Sequence, residues 1–274
     1  MSRPLDGALE LLARTLKSDG TAVMLSDGPS NSAWYEHRRI ADALDLPLVS
    51  LRDVDVAHGY LHATIGGRRR PVDVVYRRTD EERLTAPDGA LTDVGEALYE
   101  PLREGTLRCV NGFGTGVADD KLVHAYVEEM VRFHLDQEPL LPSVPTHDLS
   151  DPRTLDEVLD RAGELVFKPR TGHGGDGVVV GRHAEVADLR DLTQAIRRNP
   201  HDYVAQDTVM LSSHPTVIDG RLEPRHIDLR PFVFLTPDGA AVAPGGLTRV
   251  ALDRGGLVVN SSHRGGGKDT WVLW

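Results

Sequence analysis

Lys168 stands at the end of an apolar run. Four glycines, Gly172, Gly174, Gly175 and Gly177, follow it around His173 and Asp176 before a second apolar run begins. A hairpin needs about two turn residues, one of them often glycine, and each further glycine costs backbone entropy on folding. Glycine used so freely points to a close backbone approach. Successive N–H groups with no side chain in the way form a concave nest for an anion, and a lysine adds a mobile point charge suited to phosphate. In the Walker pattern the lysine follows the glycines and opens a helix. Here it precedes them, and the loop joins two strands. VFKPRTGHGGDGVVVG is therefore neither a P-loop nor a dinucleotide fingerprint. It fits a flap over a triphosphate, with a mobile surface hairpin as the alternative.

In PRHIDLRPF, strand periodicity puts His226, Asp228 and Arg230 on one face and Ile227 and Leu229 on the other. Charged groups in a row are costly if buried unpaired, so they suggest a polar cleft; a solvated outer face is the alternative. DYVAQDTVML alternates little and reads as a strand buried on both sides, in which Gln206 needs partners. A backbone edge beside such a residue suits an adenine ring. Near the C-terminus, Asn260, Ser261 and Ser262 precede three glycines and Lys268, which reads as a second anion-binding loop or as a frayed tail. His58 and His62 have helical spacing, but Gly59 and the strand character around them argue against a zinc helix, and there are no cysteine pairs. Ser212, Ser213 and His214 make no nucleophile elbow. NGFGTG lacks the full dinucleotide pattern.

The elements that must hold these residues are legible in outline. The 274 residues carry a formal charge of −11, which argues against a nucleic-acid surface; the run Arg68–Arg69–Arg70 reads as a solvated hairpin tip. Cys109 is the single cysteine, so no internal disulfide forms. Leu5, Leu9, Leu12 and Leu16 mark an amphipathic first helix rather than a secretory signal. No stretch approaches the roughly 20 apolar residues of a membrane span, and a cytoplasmic protein is expected. TAVMLSDG, the helix NSAWYEHRRIADALDL and PLVSL make the βαβ pattern of a parallel sheet. YLHATIGGRRRPVDVVYRR reads as a hairpin turning at Gly66–Gly67. A glycine-rich connector then runs into a helix bearing Leu122, Tyr126, Met130 and Phe133, followed by a proline-rich linker. RTLDEVLDRA and AEVADLRDLTQAIRRN read as helices, and the rest as strand, LVVNSS included.

Taken together, the motifs resemble the circularly permuted ATP-grasp type 2 family from about Ala22 to the C-terminus. They are DGPSNSAWYEH, VDVVYRRTD, VNGFGTGVADDK, the glycine loop, YVAQDTVMLSSHPT, PRHIDLRPFV, PGGLTRVAL and VVNSSHRGGGKDTWVL, in that order. The resemblance implies an α/β (α+β) protein, with a small pre-ATP-grasp-like α/β domain over 1–110 and ATP-grasp nucleotide-binding lobes over 111–274. It implies an ATP-dependent carboxylate–amine ligase, peptide-like in its chemistry, acting through an acyl phosphate. Its partners are then ATP and small carboxylate and amine substrates, not nucleic acid or membrane. Carried over residue by residue, Lys121 and Lys168 become the nucleotide lysines. Gly172, His173, Gly174, Gly175 and Gly177 become the phosphate flap. Gln206 to Val209, with Asp207 between them, become the hinge beside adenine. Asp228 and Arg230 face the phosphates or the acyl phosphate, and Arg249, Asn260 and Lys268 are candidates on the acceptor side.

One departure concerns the metal. The resemblance implies that full-length members hold Mg²⁺ with an Arg-Asp pair followed by Glu-Asp-Asn near the end of a long N-terminal half. This chain contains no Glu-x-Asn or Glu-Asp-Asn, and no Asn follows Arg78 and Asp80 in register. The expectation is therefore the C-terminal portion of a full-length member, which binds ATP weakly or takes its Mg²⁺ ligands from the N-terminal half or from a second polypeptide. The alternatives are a non-catalytic nucleotide-binding or scaffold protein derived from such a ligase, and a kinase that uses the same clasp.

Overall fold

Ala22–Ser26 (β1) is almost wholly buried, as a strand in a parallel sheet covered on both faces must be. In the computed structural model, which describes residues 7–79, 83–172, 175–257, 259 and 265–273, the chain forms two compact units. Unit 1 comprises Met1–Thr115, Pro231–Gly246 and Trp271–Trp274; unit 2 comprises Gly116–Arg230 and Leu247–Thr270. No helix among the described residues is long and apolar enough to cross a membrane.

Unit 1 begins with α1 (Gly7–Leu16), then β1, α2 (Trp34–Leu44) and β2 (Leu48–Val49). An antiparallel meander follows: β3 (Val54–Ala57), β4 (Tyr60–Ile65) and β5 (Arg68–Pro71). Gly66 and Gly67 both have positive φ, as the β4–β5 turn requires. The sequence reading ran this hairpin on through Arg78. Instead Val74–Arg78 (β6) leaves it and pairs in parallel with β1, in the register Met24↔Tyr76 and Ser26↔Arg78. Helix α3 (Asp93–Arg103), capped by Thr92, leads to β7 (Arg108–Val110), and the all-parallel order is β2-β1-β6-β7. Alternation along β1 and β6 feeds two cores. Val23, Leu25 and Val75 pack with Leu61, Ala63, Val94 and Leu98 on the meander and α3 side. Met24, Val74 and Tyr76 pack with Leu12, Leu16 and Ala41 of α1 and α2.

Unit 2 opens with short turns and α4 (Val127–Leu135), none of whose residues is buried. Leu122 and Tyr126 lie before the helix rather than on it. β8 (Thr146–Asp148) leads to α5 (Pro152–Asp160), capped by Asp151, whose carboxylate accepts the Thr154 N–H at 3.1 Å. β9 (Leu165–Pro169), β10 (Val179–Val180), α6 (Val186–Arg198) and β11 (Tyr203–Asp207) complete an antiparallel sheet of order β10-β9-β11-β8. The β11 pairing stops at Asp207, short of the strand read through Leu211. Leu165, Phe167 and Ala205 point to α5 and α6 and bury against Leu149, Val158 and Ile196. Full burial of a side chain such as Phe167 contributes about 1.5–3 kcal/mol. The period of two then forces Val166, Lys168 and Gln206 onto the opposite face.

A second antiparallel sheet runs β12 (Ser213–Ile218), β13 (Arg221–Thr236), β14 (Gly239–Ala251) and β15 (Gly265–Lys268). Its outer segment, Pro231–Gly246, is counted with unit 1. Leu257 and Val259, from the last expected strand, lie outside regular structure, and Asn260–Ser262 are outside the described residues.

Candidate functional site

The face of the β8–β11 sheet turned away from α5 and α6 forms one wall of a cavity of about 530 Å³, within unit 2. Val166, Lys168, Val180 and Gln206 line it from that sheet; Asp228, Arg230, Leu247 and Arg249 line it from β13 and β14. The cavity is apolar along much of its length and carries charge at Lys168, at Asp207 and around Asp228.

Lys168 donates to Oε1 of Gln206. Gln206 in turn donates from Nε2 to Thr146 Oγ1 at 2.7 Å, so both ends of this buried amide are satisfied. Burial holds the Lys168 amine below its ordinary pKa, and the nearby Lys121 charge adds to the effect. An anion beside the amine opposes this shift and favours its charged form.

Lys121 approaches the same loop from outside the sheet. Its Nζ donates to the carbonyls of Arg170 and Thr171, each at 3.3 Å, and of Gly172 at 2.9 Å. Its position is fixed by a fork that sequence reading did not find: Arg170 engages both carboxylate oxygens of Asp120, with Nε to Oδ1 at 3.1 Å. That contact holds the Asp120 carboxyl below its usual range. The signal was present as opposite charges beside each lysine, in DDK and KPR, but nothing local says that they meet.

Gly175 lines the cavity. Gly177 has a φ of +70°, and a Cβ there would lie 2.7 Å from Pro169 Cγ, so the loop folds closely over the strand that feeds it. Gly172 lies at the loop entrance, under Lys121. His173, Gly174 and Asn260 lie outside the described residues.

Asp207 and Val209 line the cavity beyond Gln206. The Asp207 carboxylate is engaged by His147 Nε2 at 3.0 Å, and its N–H donates to Pro145 O at 3.0 Å. Asp228 is held by Arg249 through one guanidinium edge, Nε donating to Oδ1 at 3.0 Å and Nη2 to Oδ2. Arg230 Nε stands 4.0 Å from Asp228 Oδ2, with its side chain 57% exposed and so open to a ligand. His226, on the same strand, instead engages the Leu211 carbonyl from Nδ1 at 2.8 Å. Lys268 is not brought to this cavity. Arg249 pairs with Gly267 and Thr248 with Lys268, which puts Lys268 on the other face of the sheet, where it donates to Pro215 O at 3.0 Å.

Among the described residues, no group of three or more His, Cys, Asp or Glu side chains could hold a metal ion. Asp228, the carboxylate nearest Arg230, is already neutralised by Arg249. These residues form no all-protein cage for Mg²⁺, an ion usually held by one or two carboxylates together with substrate phosphates.

The family model described as circularly permuted ATP-grasp type 2 matches residues 1–251. The protein sll0335 of Synechocystis sp. is 44% identical over 255 residues, which are 92% of this chain and 53% of that protein. A putative glutamate–cysteine ligase 2-3 of Frankia alni is 43% identical over 255 residues, 91% of this chain and 29% of its own length. The chain thus spans about half the length of one curated relative and under a third of another. The crystal structure of the macrocyclase MdnC bound with precursor peptide MdnA from Microcystis aeruginosa MRC aligns at 13% identity and a TM-score of 0.48, over 91% of this chain and 78% of that one.

Proposed function

The chain belongs to the circularly permuted ATP-grasp type 2 family, and on that premise we propose that it carries the nucleotide site of an ATP-dependent carboxylate–amine ligase. The observation that carries this reading is the cavity itself: a largely apolar slot with a half-buried lysine beside a glycine loop at one place and a guanidinium cluster at another. In this reading, adenine lies against the Gln206–Val209 segment, and Lys168 and the loop N–H groups take the phosphates. Lys121 exchanges its loop carbonyls for phosphate oxygen. Arg230 meets the transferring phosphoryl group, while Asp228 and Arg249 hold each other in place behind it. Asn260 remains a candidate for the acceptor side, and Lys268, on the other face of the sheet, is set aside.

The chemistry has two steps. A substrate carboxylate oxygen attacks the terminal phosphorus and ADP leaves. An amine nitrogen then attacks the acyl carbon, phosphate leaves, and the amine proton passes to solvent. Phosphoryl transfer is mostly positioning and charge neutralisation, which lysines and arginines on two facing sheets can supply. Since the described residues form no Mg²⁺ cage of their own, the reading assigns metal ligation to residues outside them, in an N-terminal half such as longer relatives carry or in a second polypeptide. The name of the Frankia relative denotes a carboxylate–amine condensation, but the match covers less than a third of that protein, so the reaction class rests on the family and the site.

The test is ADP release with hydroxylamine trapping of the acyl phosphate across a panel of carboxylates, in the presence of ATP and Mg²⁺. Carboxylate-dependent ADP and hydroxamate, both lost in Arg230→Ala, support the ligase. ATP bound without ADP release for any carboxylate, once the metal-ligating residues are supplied, favours the second reading, a non-catalytic nucleotide-binding protein, for which the engagement of Asp228 by Arg249 already speaks.

A further inference from the structure

We infer that the carboxyl edge of the parallel sheet in unit 1 is a binding site for a small carboxylate, with Arg78 as its anchor. In this sheet the chain passes from β1 outward to β2 on one side, while β6 and β7 lie on the other. The connections that follow β1 and β6 therefore part at this point, and open parallel sheets bind ligands in the crevice outside such strand ends. Ser26 and Arg78 are the last register pair there.

The edge is unusually polar for a sheet end. Ser26, His37, Arg77 and Thr79 are all buried. Most of their groups are satisfied. Ser26 Oγ accepts the Gly28 N–H at 3.1 Å and pairs with His37 Nδ1 at 2.8 Å. Arg77 donates to the carbonyls of Asn111 at 2.7 Å, Thr79 at 2.8 Å and Gly112 at 3.2 Å. These bonds make a rigid polar frame built before any ligand arrives.

Arg78 breaks the pattern. Its Nε is shut off from solvent with no hydrogen-bond partner, the one such side-chain atom among the described residues. A buried donor left unpaired is costly, and native structures rarely carry one without a reason. The adjacent prong of the same guanidinium, NH2, donates to Glu36 Oε1 at 2.9 Å, and Glu36 is 57% exposed. Tyr76 supports the guanidinium from below, with its ring centroid 5.8 Å from Cζ. Glu36 thus fills half of an edge made for two parallel bonds, since Nε and a terminal nitrogen match the two oxygens of one carboxylate. An incoming carboxylate that takes both prongs satisfies the orphan donor and releases Glu36 to solvent. The site lies wholly in unit 1 and does not depend on the nucleotide reading.

The experiment titrates the purified chain with acetate, succinate and the free amino acids up to millimolar concentrations, by calorimetry. Saturable binding of at least one is expected. Arg78→Met should abolish it, and Arg78→Lys, which keeps the charge but not the fork, should weaken it about tenfold or more. Glu36→Gln should tighten it by up to about fivefold, because an exposed competitor worth little is removed. Binding should persist in Lys168→Ala, so loss of this site and loss of the nucleotide site are read separately. The inference is overturned if no carboxylate binds, if both Arg78 variants bind as the parent does, or if Glu36→Gln weakens binding.

Discussion

Replacing Lys168 with alanine separates a ligand-binding role from a structural one, because its neighbour Phe167 supplies the contrast on the same strand. Phe167 is fully buried against α5 and α6; Lys168 faces the cavity. Two structural effects of Lys168→Ala oppose each other. Gln206 Oε1 loses its donor, and a buried unsatisfied acceptor costs about 1–3 kcal/mol. Against that, a desolvated ammonium repelled by Lys121 is removed, which returns part of the cost. The net loss should stay below about 2 kcal/mol, roughly 4–8 °C in Tm for a protein of this size. Phe167→Ala should cost about 3–5 kcal/mol. The effect on nucleotide is different in kind. A hydrogen bond to a charged group contributes about 1.5–3 kcal/mol, so the Kd for ATP should rise about 10- to 150-fold. Thermal denaturation and calorimetry on the two variants measure both quantities. A stability loss in Lys168→Ala as large as that in Phe167→Ala, with unchanged ATP affinity, would refute the placement of this lysine in a ligand cavity.

Three further outcomes are expected. Lys168 also sets a pH dependence: its folded pKa lies below that of the unfolded chain, so the unfolded state binds the proton more tightly and stability rises as pH climbs from the lowered value to about 10.4. ATP affinity should fall over the same window, and both trends should vanish in Lys168→Met, as followed by denaturant titration and calorimetry. Burial pushes the Cys109 thiol up to about 11, so iodoacetamide should leave it unmodified in the native protein at neutral pH and alkylate it readily in denaturant, as read by mass spectrometry. Gly177→Ala combines a positive φ with a contact onto Pro169; it should cost about 1–2 kcal/mol and weaken ATP binding, as measured by thermal shift with and without nucleotide.

Much of the site was legible because it follows a local period. The alternation in LVFKP separates Phe167 from Lys168, and the alternation in HIDLR puts Asp228 and Arg230 on one face. The glycine loop announced its close approach by composition alone. What stayed hidden depends on pairing between distant segments. Asp120 and Arg170 lie far apart in sequence, as do Thr146 and Gln206, and no local pattern says which charges or amides will meet. The register of β15 is equally non-local: a shift of one residue would have turned Lys268 to the face that holds Arg249. The Val74–Arg78 run satisfied the local pattern of a hairpin arm, but the buried faces of β1 offered a better partner than the solvated β5 edge.

The measurement that tests the central claim most directly is calorimetric titration of the purified chain with ATP, with and without Mg²⁺, beside the Lys168→Ala variant. The account predicts saturable binding that is at least about tenfold weaker in the variant. ATP that does not bind the chain at all, or binds parent and variant alike, would contradict the assignment of this cavity to a nucleotide.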